Sequence, residues 1–522
     1  MEPLDDPTVL IPEIFASHAS YFPDREAVVC GEVRRTWGDF NANIQRLANA
    51  LAAAGVGAGQ QVAVMMGNSV QTLEVIFGVV RSGACVVPLS GLLTGEQLAA
   101  LLDDSDAVMA FASPDFRARL APYRARLTKL RADGLVAMLG SEPGWRSYDD
   151  FIANADSSTP LAVLHAGERF NIIYSSGTTG LPKGIVQTHR ARTHWAFSNA
   201  IELGFRDTSR ALTTTALYSN GTWLMMLPVL FAGGTCVVMP SFNALYFAAT
   251  VRAEQITHSF MVPAQYLMLL AEPALNDTDL DSLQCLLCAG SPLRRDTKRE
   301  VMRRFGNKLT ELYGFSEGFG SMLKPHQHED HFDSVGTPVL GFELRILDDD
   351  GRVLPRGQVG EIAGYGAGMM REYHRRPEQT AELVWRDERG RRFIRSGDIG
   401  RLDADGFLHI VDRKKDMIIS GGFNVFPSDI EAVVARHPEV ADVTVIGIPH
   451  ERWGETPLAL VIARSGMAPD IMTLLAWCNA NLARHQRLSA IELRTDFPRN
   501  ALGKVLKRVL REPYWAGTGS AI

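Results

Sequence analysis

The 522-residue sequence predicts an α/β protein: a large N-terminal domain of parallel α/β sheets that includes a β-rich subdomain, then a small C-terminal α+β domain. Three observations predict it. A single hydrophobic core rarely grows past roughly 250 to 300 residues, so a chain of this length divides into domains. Strand-like runs alternate with helix-like runs through most of the chain, the pattern of βαβ units and a parallel sheet. From about residue 335 the texture changes to alternating runs joined by acidic glycine turns, the pattern of antiparallel pairs.

In chain order, "QVAVMMG" (61–67) is a β-type run, "VQTLEVIFGVVRSG" has apolar spacing near 3.6, and "ACVVPLS" is a second strand, together a βαβ unit. "WLMMLPVLFAGGTCVVM" (223–239) is the most apolar long run. Pro228, Gly233, Gly234 and Thr235 interrupt it, so it reads as helix, turn and strand rather than a membrane span. The strand rhythm recurs in "TCVVMP" (235–240), "THSFMVP" (257–263) and "LQCLLCAG" (283–290). "FELRILDDDGRVLPRGQVGEIAG" (342–364) and "IGRLDADGFLHIVDR" (399–413) form the β-rich subdomain, with Asp405-Gly406 as a hairpin turn. The charged run "DRKKD" opens the linker, and "SDIEAVVARHPEVADVTVIGIP" reads as a helix starting at Ser428 and then a strand. The expected boundaries are 1–412 for the N-terminal domain (β-rich part about 335–412), 413–416 for the hinge and 417–522 for the C-terminal domain.

Composition bounds the partners. Apolar residues are 46% and charged residues 21%, as in ordinary globular proteins. Lys plus Arg number 53 against 59 Asp plus Glu, a net charge of −6, which argues against nucleic acid or an anionic membrane surface as the main partner. Six dispersed cysteines do not make a disulfide scaffold, so a reducing, cytoplasmic setting is expected. Cys285 and Cys288 form a C-x-x-C, but in apolar "LQCLLCAG" they read as small buried residues of a core strand. The acidic start "MEPLDDPTVLIPEIF" lacks the order of a signal peptide, and no lipidation or peroxisomal signal is expected at Ile522.

Two loops carry the chemistry. "YSSGTTGLPKG" (174–184) follows the strand-like Phe170-Asn171-Ile172-Ile173. Its glycines turn backbone N–H groups toward a ligand, its hydroxyls add donors and Lys183 adds charge, a combination suited to polyphosphate. It lacks Walker A spacing. "YGFSEG" (313–318) contains a G-x-S-x-G, which raises the alternative of a serine hydrolase attacking through Ser316. "PHQHEDHF" (325–332) fits neither H-E-x-x-H nor a Cys/His finger, so it reads as a solvated loop near the site's rim.

"YSSGTTGLPKG" resembles the signature loop of the adenylate-forming superfamily, which includes acyl- and aryl-CoA synthetases, peptide-synthetase adenylation domains and luciferases. Further segments match in order from about residue 10 to 511. "CAGSPL" (288–293) resembles the adenine-pocket segment, "YGFSEG" the Y-G-x-T-E motif with Ser316 for Thr, and "IRSGDIG" (394–400) the ribose element with Ser396 for Thr. "DRKKDMIISGGFNVFPSDIE" (412–431) resembles the hinge and glycine motif, and "PRNALGKVLKRVLR" (498–511) the lysine motif. "GYGAGMM" (364–370) resembles the G-x-x-x-M-x-G-Y loop, with Glu372 in place of its second glycine.

The resemblance implies that a carboxylate attacks the α-phosphate of ATP, releasing pyrophosphate, and that the thiol of coenzyme A then displaces AMP. Ser175, Ser176, Gly177, Thr178, Thr179 and Gly180 would cradle the phosphates, with Lys183 assisting. Glu317, with Thr179, would hold Mg²⁺; Ser316 would touch the α-phosphate; Tyr313 and Gly314 would face adenine beside Ala289, Gly290 and Ser291. Asp398 would hold the ribose hydroxyls, and Arg413 would reach ribose or phosphate from the linker. Lys504, with Thr179 and Glu317, would be catalytic. The small domain would rotate about Lys415, presenting Lys504 in one pose and Ser420, Gly421, Gly422 and Phe423 to CoA in the other.

For the acid, Ser219 in "YSNGTW" (218–223) stands where amino-acid-activating domains carry an aspartate, so an α-amino acid is disfavoured. Pocket walls are expected from Trp195, Tyr218, Ser219, Asn220, Gly314 and Gly318, a mixture that suits a medium-sized aryl, alicyclic or medium-chain acid. The expected partners are that small-molecule carboxylic acid and CoA, without nucleic acid or a transmembrane segment, and with a homodimer left open. A stand-alone adenylation enzyme loading a carrier protein is the alternative acceptor reading. The hydrolase reading lacks an Asp-then-His pair after Ser316, and Pro325 cuts short any helix that a nucleophile elbow needs.

Overall fold

The computed structural model describes residues 9–175, 182–275, 277–421, 423–499 and 503–516. Among them the strands form four sheets. The first runs Glu372–Tyr373, Gly184–Thr188, Arg169–Tyr174, Cys85–Pro88, Gln61–Met65, Ala107–Ala112, Leu135–Ala137 and Arg146–Ser147. It is parallel from Arg169–Tyr174 to Arg146–Ser147; only the strands that flank the 175–183 loop, and the short strand beyond, are antiparallel. The second sheet has a parallel centre of Leu309–Gly314, Cys285–Cys288, His258–Met261, Arg210–Thr213, Thr235–Val238 and Glu26–Cys30, with antiparallel edges.

The βαβ unit forms as its pattern dictates. Gln61–Met65 pairs in parallel with Cys85–Pro88, and the helix Val70–Arg81 connects them. Ser69 caps that helix by accepting from Thr72 N at 3.1 Å, satisfying an otherwise orphaned donor. Every residue of the helix except Gln71 is buried, which explains why it is apolar nearly all round. Phe15, Trp37, Phe40 and Phe77 cluster in the same core. Burying an aromatic side chain of this size stabilises by about 1.5–3 kcal/mol.

Cys285 and Cys288 lie on one buried strand. An odd separation along a strand turns the two side chains to opposite faces. Accordingly Cys285 joins one hydrophobic core and Cys288 another, so the C-x-x-C is not a dithiol pair.

The third sheet is antiparallel: Phe342–Leu347, Gly360–Gly366, Arg392–Leu402 and Val384–Arg386, with Leu408–Arg413 paired on Arg392–Leu402. Gly406 takes φ +90° in the turn before Leu408–Arg413, a conformation that asks for glycine. The fourth sheet contains Phe423–Val425, Ile418–Ser420, Gly454–Ala463, Val440–His450 and Ala490–Leu493, covered by Pro427–Val434 and Ile471–Ala480. Among the described residues no helix is long and apolar enough to cross a membrane.

Two local expectations are corrected. The helix expected at Ser428 begins at Pro427, whose fixed φ suits a first helical position. Ser428 does not cap it: its hydroxyl donates to Val411 O at 2.6 Å and its N–H to Asp412 Oδ2 at 2.9 Å, fastening the helix to the strand before the hinge. The histidine segment is not a uniformly solvated loop. His328 is buried and its Nε2 bonds Leu309 O at 2.8 Å, while His331 stacks on Phe407.

Candidate active site

The candidate residues gather where three strands end, the edge at which open α/β sheets place ligands. Ser175 and Lys183 follow Arg169–Tyr174 and close the base of their loop through Ser175 N to Lys183 O at 3.0 Å. Ser176, Gly177, Thr178, Thr179 and Gly180 lie outside the described residues, as does Gly422. Ala289, Gly290 and Ser291 follow Cys285–Cys288, and Gly290 turns the chain at φ +96°. The neighbouring parallel strand, Leu309–Gly314, carries Tyr313 and Gly314.

After Gly314 the chain makes a tight return into Gly320–Leu323, antiparallel and in register from Gly314 against Gly320. A nucleophile elbow requires strand, turn and helix. Here the element after Ser316 is a strand, so the hydrolase alternative loses its scaffold. The second glycine of G-x-S-x-G has a packing reason instead: a Cβ at Gly318 would lie 2.4 Å from Met369 Cα. Ser316 is positioned through its carbonyl, which accepts from Gln187 Nε2 at 2.9 Å.

Two polar clusters flank this return. In the first, Tyr373 donates its hydroxyl to Glu317 Oε1 at 2.6 Å, and Lys183 Nζ sits 4.8 Å from the centre of the Tyr373 ring. Burial pushes the Glu317 carboxyl up, and the Tyr373 hydroxyl, Lys183 and Arg413 oppose that shift. In the second, Tyr313 donates to Asp398 Oδ2 at 2.7 Å and Arg413 Nε lies 3.4 Å from Oδ1. Burial and then the Asp398 charge push the Tyr313 phenol well up, so it remains a donor. Asp398 and Arg413 face each other across neighbouring strands. Ser396 sets the turn by accepting from Asp398 N at 3.0 Å and donating to Ile362 O at 2.8 Å.

Lys504 belongs to this second neighbourhood. Burial pulls its ammonium down to about 7, Arg413 and Lys415 add to the shift, and Asp398 and Asp416 oppose it. The preceding Gly503 faces Ala264 of the large domain. The C-terminal segment is held by ion pairs and hydrogen bonds: Asp442 pairs with Arg294 and, at 2.5 Å, with Arg499, and Arg511 Nη1 donates to Lys415 O at 3.2 Å. At the expected hinge, Lys414 N donates to Gly397 O at 2.8 Å, and Asp416 and Met417 N–H groups close on Arg413 O.

Ser420, Gly421 and Phe423 make their contacts within the C-terminal part of the chain, Phe423 lying 5.8 Å from the His485 ring. Ser420 pairs with Gly454, and Gly421 takes φ +58° with its N–H on Trp453 O at 2.8 Å. A Cβ at Gly421 would stand 2.8 Å from the Trp453 ring, so the glycine permits close packing. Phe423 and Trp453 are exposed beside it. Lys504 thus lies within electrostatic reach of Asp398 and Arg413, whereas the contacts given for Ser420, Gly421 and Phe423 among the described residues lie in the C-terminal sheet and its loops.

Among the expected pocket residues, Trp195 is buried and donates Nε1 to Gly368 O at 2.7 Å, next to the Met369 that packs on Gly318. Asn220 accepts from Arg192 Nη2 at 2.8 Å. Tyr218 and Ser219 are half-buried in the segment that leads to Asn220. No site role was expected of Tyr373, Gln187, Asn171 or Arg192 from the sequence, where Asn171 appeared only within a strand-like run. Tyr373 was within reach, since it occupies the final position of the G-x-x-x-M-x-G-Y pattern. The other three offered no local signal.

Comparison with known proteins identifies the family. The AMP-binding enzyme family model matches residues 15–374 and its C-terminal domain model matches residues 429–504. A feruloyl-CoA synthase from Amycolatopsis is 33% identical over 94% of this chain and 96% of its own. An indoleacetate–CoA ligase from Aromatoleum aromaticum is 33% identical over 95% of this chain and 96% of its own. The crystal structure of ATP-bound MatB from Rhodopseudomonas palustris superimposes with a TM-score of 0.88 at 27% identity, covering 97% of this chain and 99% of that one. With both parts of the chain matched and the strand-end cluster in place, this protein belongs to the AMP-binding enzyme family.

Proposed function

We propose that the chain is an ATP-dependent acid–CoA ligase. A carboxylate oxygen of the acid attacks the α-phosphorus of ATP, and pyrophosphate leaves with the P–O bonding electrons. The CoA sulfur then attacks the acyl carbon of the adenylate, and AMP departs as the thioester forms. One observation carries the reading: Tyr313, Asp398, Arg413 and Lys504, drawn from separate segments, share one half-buried neighbourhood.

In the first half-reaction Lys504 and Arg413 offset the charge that collects between acid and α-phosphate, in a setting where burial strengthens each interaction. Asp398 accepts from the ribose hydroxyls, exchanging its present Tyr313 and Arg413 contacts in part for theirs. Tyr313 closes one wall of the adenine pocket opposite Ala289 and Gly290, and the Ser316 hydroxyl meets the α-phosphate. The hydroxyls of the 176–179 loop hold the outer phosphates, with Lys183 beside them.

Glu317 fits Mg²⁺. It is an oxygen donor at the phosphate loop, and burial disfavours its charge unless a cation is near. Glu317 and Thr179 would hold the ion, which when bound supplies neutralisation of phosphate oxygens.

We read the approach of Lys504 to Asp398 and Arg413 as the adenylate-forming pose. The thioester-forming pose follows rotation about Lys415, which brings the exposed Gly421 and Phe423 to the site, beside a path for the pantetheine arm. The acid is a medium-sized aryl, alicyclic or medium-chain carboxylate, in a pocket bounded by Trp195, Asn220 and Gly318. Pyrophosphate release and acyl-CoA formation over a panel of acids test the assignment. Activity with CoA and such acids is expected. Activity only with acetate refutes the acid class, and no pyrophosphate release with any acid refutes the ligase reading.

A further inference from the structure

Arg192 is a buried charge that this chemistry does not use. It lies on the helix His189–Leu203 and is 1% exposed. A guanidinium removed from water is strongly disfavoured unless it is paired and fully hydrogen-bonded. Its partners among the described residues are neutral. Nε donates to Asn171 Oδ1 at 2.7 Å and Nη2 to Asn220 Oδ1 at 2.8 Å. Its guanidinium carbon lies 4.6 Å from the ring centre of Trp223 and 5.7 Å from that of Trp195. Desolvation pulls its pKa down to about 9 with no acidic neighbour opposing. Nη1 is buried without a hydrogen-bond partner among the described residues.

A neutral amide could tie Asn171 to Asn220 without placing a charge in the core, so the charge needs a further reason. Its location supplies one. Asn171 pairs across the hairpin with Gln187, which holds the Ser316 carbonyl at the nucleotide end. Asn220 and Trp195 belong to the acid-pocket wall proposed above. Arg192, bonded to Asn220, thus stands behind that proposed wall, separated from the Ser316 return by one amide side chain on each of two strands. Nη1 retains both its N–H groups and Nη2 retains one, enough for a two-point hold on a carboxylate.

We infer that Arg192 binds a second anionic group on the substrate: the acid carries a carboxylate or an equivalent anion at the end remote from the carboxyl group that is adenylated. This inference rests on the ligase reading. Without Arg192 the pocket would suit an apolar acid, and with it the charge of the bound acid replaces the missing counter-ion.

The test measures ATP–pyrophosphate exchange with straight-chain dicarboxylates and monocarboxylates matched in length, from succinate to sebacate, alongside benzoate against terephthalate. The wild-type protein is expected to favour a diacid over its matched monoacid by at least about 10-fold in kcat/KM. Arg192→Gln should lower the diacid value by about 100-fold, at least about 10-fold more than it lowers the monoacid value. Arg192→Lys should recover part of the loss. A wild-type preference for monoacids, or an equal loss of both acids in the variants, overturns the inference. Should the variants fail to fold, the wild-type selectivity decides alone. Calorimetric binding of the preferred diacid separates the two readings. Binding that depends on Arg192 without exchange counts against the ligase; exchange without diacid preference counts against Arg192.

Discussion

Binding of ATP should draw a proton onto the enzyme through Lys504. Burial pulls this lysine from 10.5 to about 7, with Arg413 adding to the shift and Asp398 and Asp416 resisting it. Each pKa unit is about 1.4 kcal/mol, so the ammonium is disfavoured by about 5 kcal/mol. At about pH 8 only about a tenth of such lysines are protonated. The phosphates of ATP bring opposite charge into this neighbourhood and lift the pKa back toward its ordinary range. Binding near pH 8 should therefore take up about 0.9 proton per chain. Titration calorimetry in buffers of different ionisation enthalpy reads this number as the slope of apparent enthalpy. Lys504→Met should remove most of it. A slope near zero in the wild type, or an unchanged slope in the variant, would refute the placement of Lys504 beside the phosphates. The same shift sets a stability trend. The folded pKa lies below the unfolded one, so between about pH 7 and 10.5 the unfolded chain holds more protons, and the contribution of this group to stability rises with pH.

Four further outcomes follow from the same geometry. Lys504→Ala should slow acyl-adenylate formation by about 10²–10³-fold yet leave thioester formation from supplied acyl-adenylate within about 3-fold; equal losses in separate half-reaction assays contradict a two-pose mechanism. Glu317→Gln should reduce pyrophosphate exchange by about 100-fold, whereas Ser316→Thr should stay within about 3-fold, and a serine-directed phosphonate should leave the protein unlabelled by mass spectrometry. Tyr373→Phe removes a hydrogen bond that lowers the Glu317 pKa, so the acidic limb of the pH–rate profile should move toward neutrality. Gly318→Ala drives a Cβ against Met369 Cα and should lower stability by about 1–3 kcal/mol, seen as a reduced midpoint in denaturant.

Much of the architecture was legible because it is set by neighbours in the chain. The helix Val70–Arg81 and its flanking strands follow from periodicity, the turn before Leu408–Arg413 from Asp405-Gly406, and the buried strand Cys285–Cys288 from its apolar run. Side-chain employment was harder to read. Ser428 had the residue type of a helix cap, but tertiary partners on the preceding strand claimed both its hydroxyl and its N–H. His328 sat in a polar-looking segment, yet folding buried it against Leu309.

The site divides along the same line. The residue types of each motif were readable along the chain, because a phosphate loop, a Y-G-x-S-E return and a G-K turn are short and local. Packing decided that Tyr313 reaches Asp398, that Tyr373 reaches Glu317 and that Lys504 comes near Asp398 and Arg413. Packing also decided that Arg192 lies buried between Asn171 and Asn220 without a counter-charge among the described residues. The physical reason is range. Backbone conformation responds to residues a few positions away, whereas burial, charge pairing and proton affinity depend on segments that meet only when the sheets have packed.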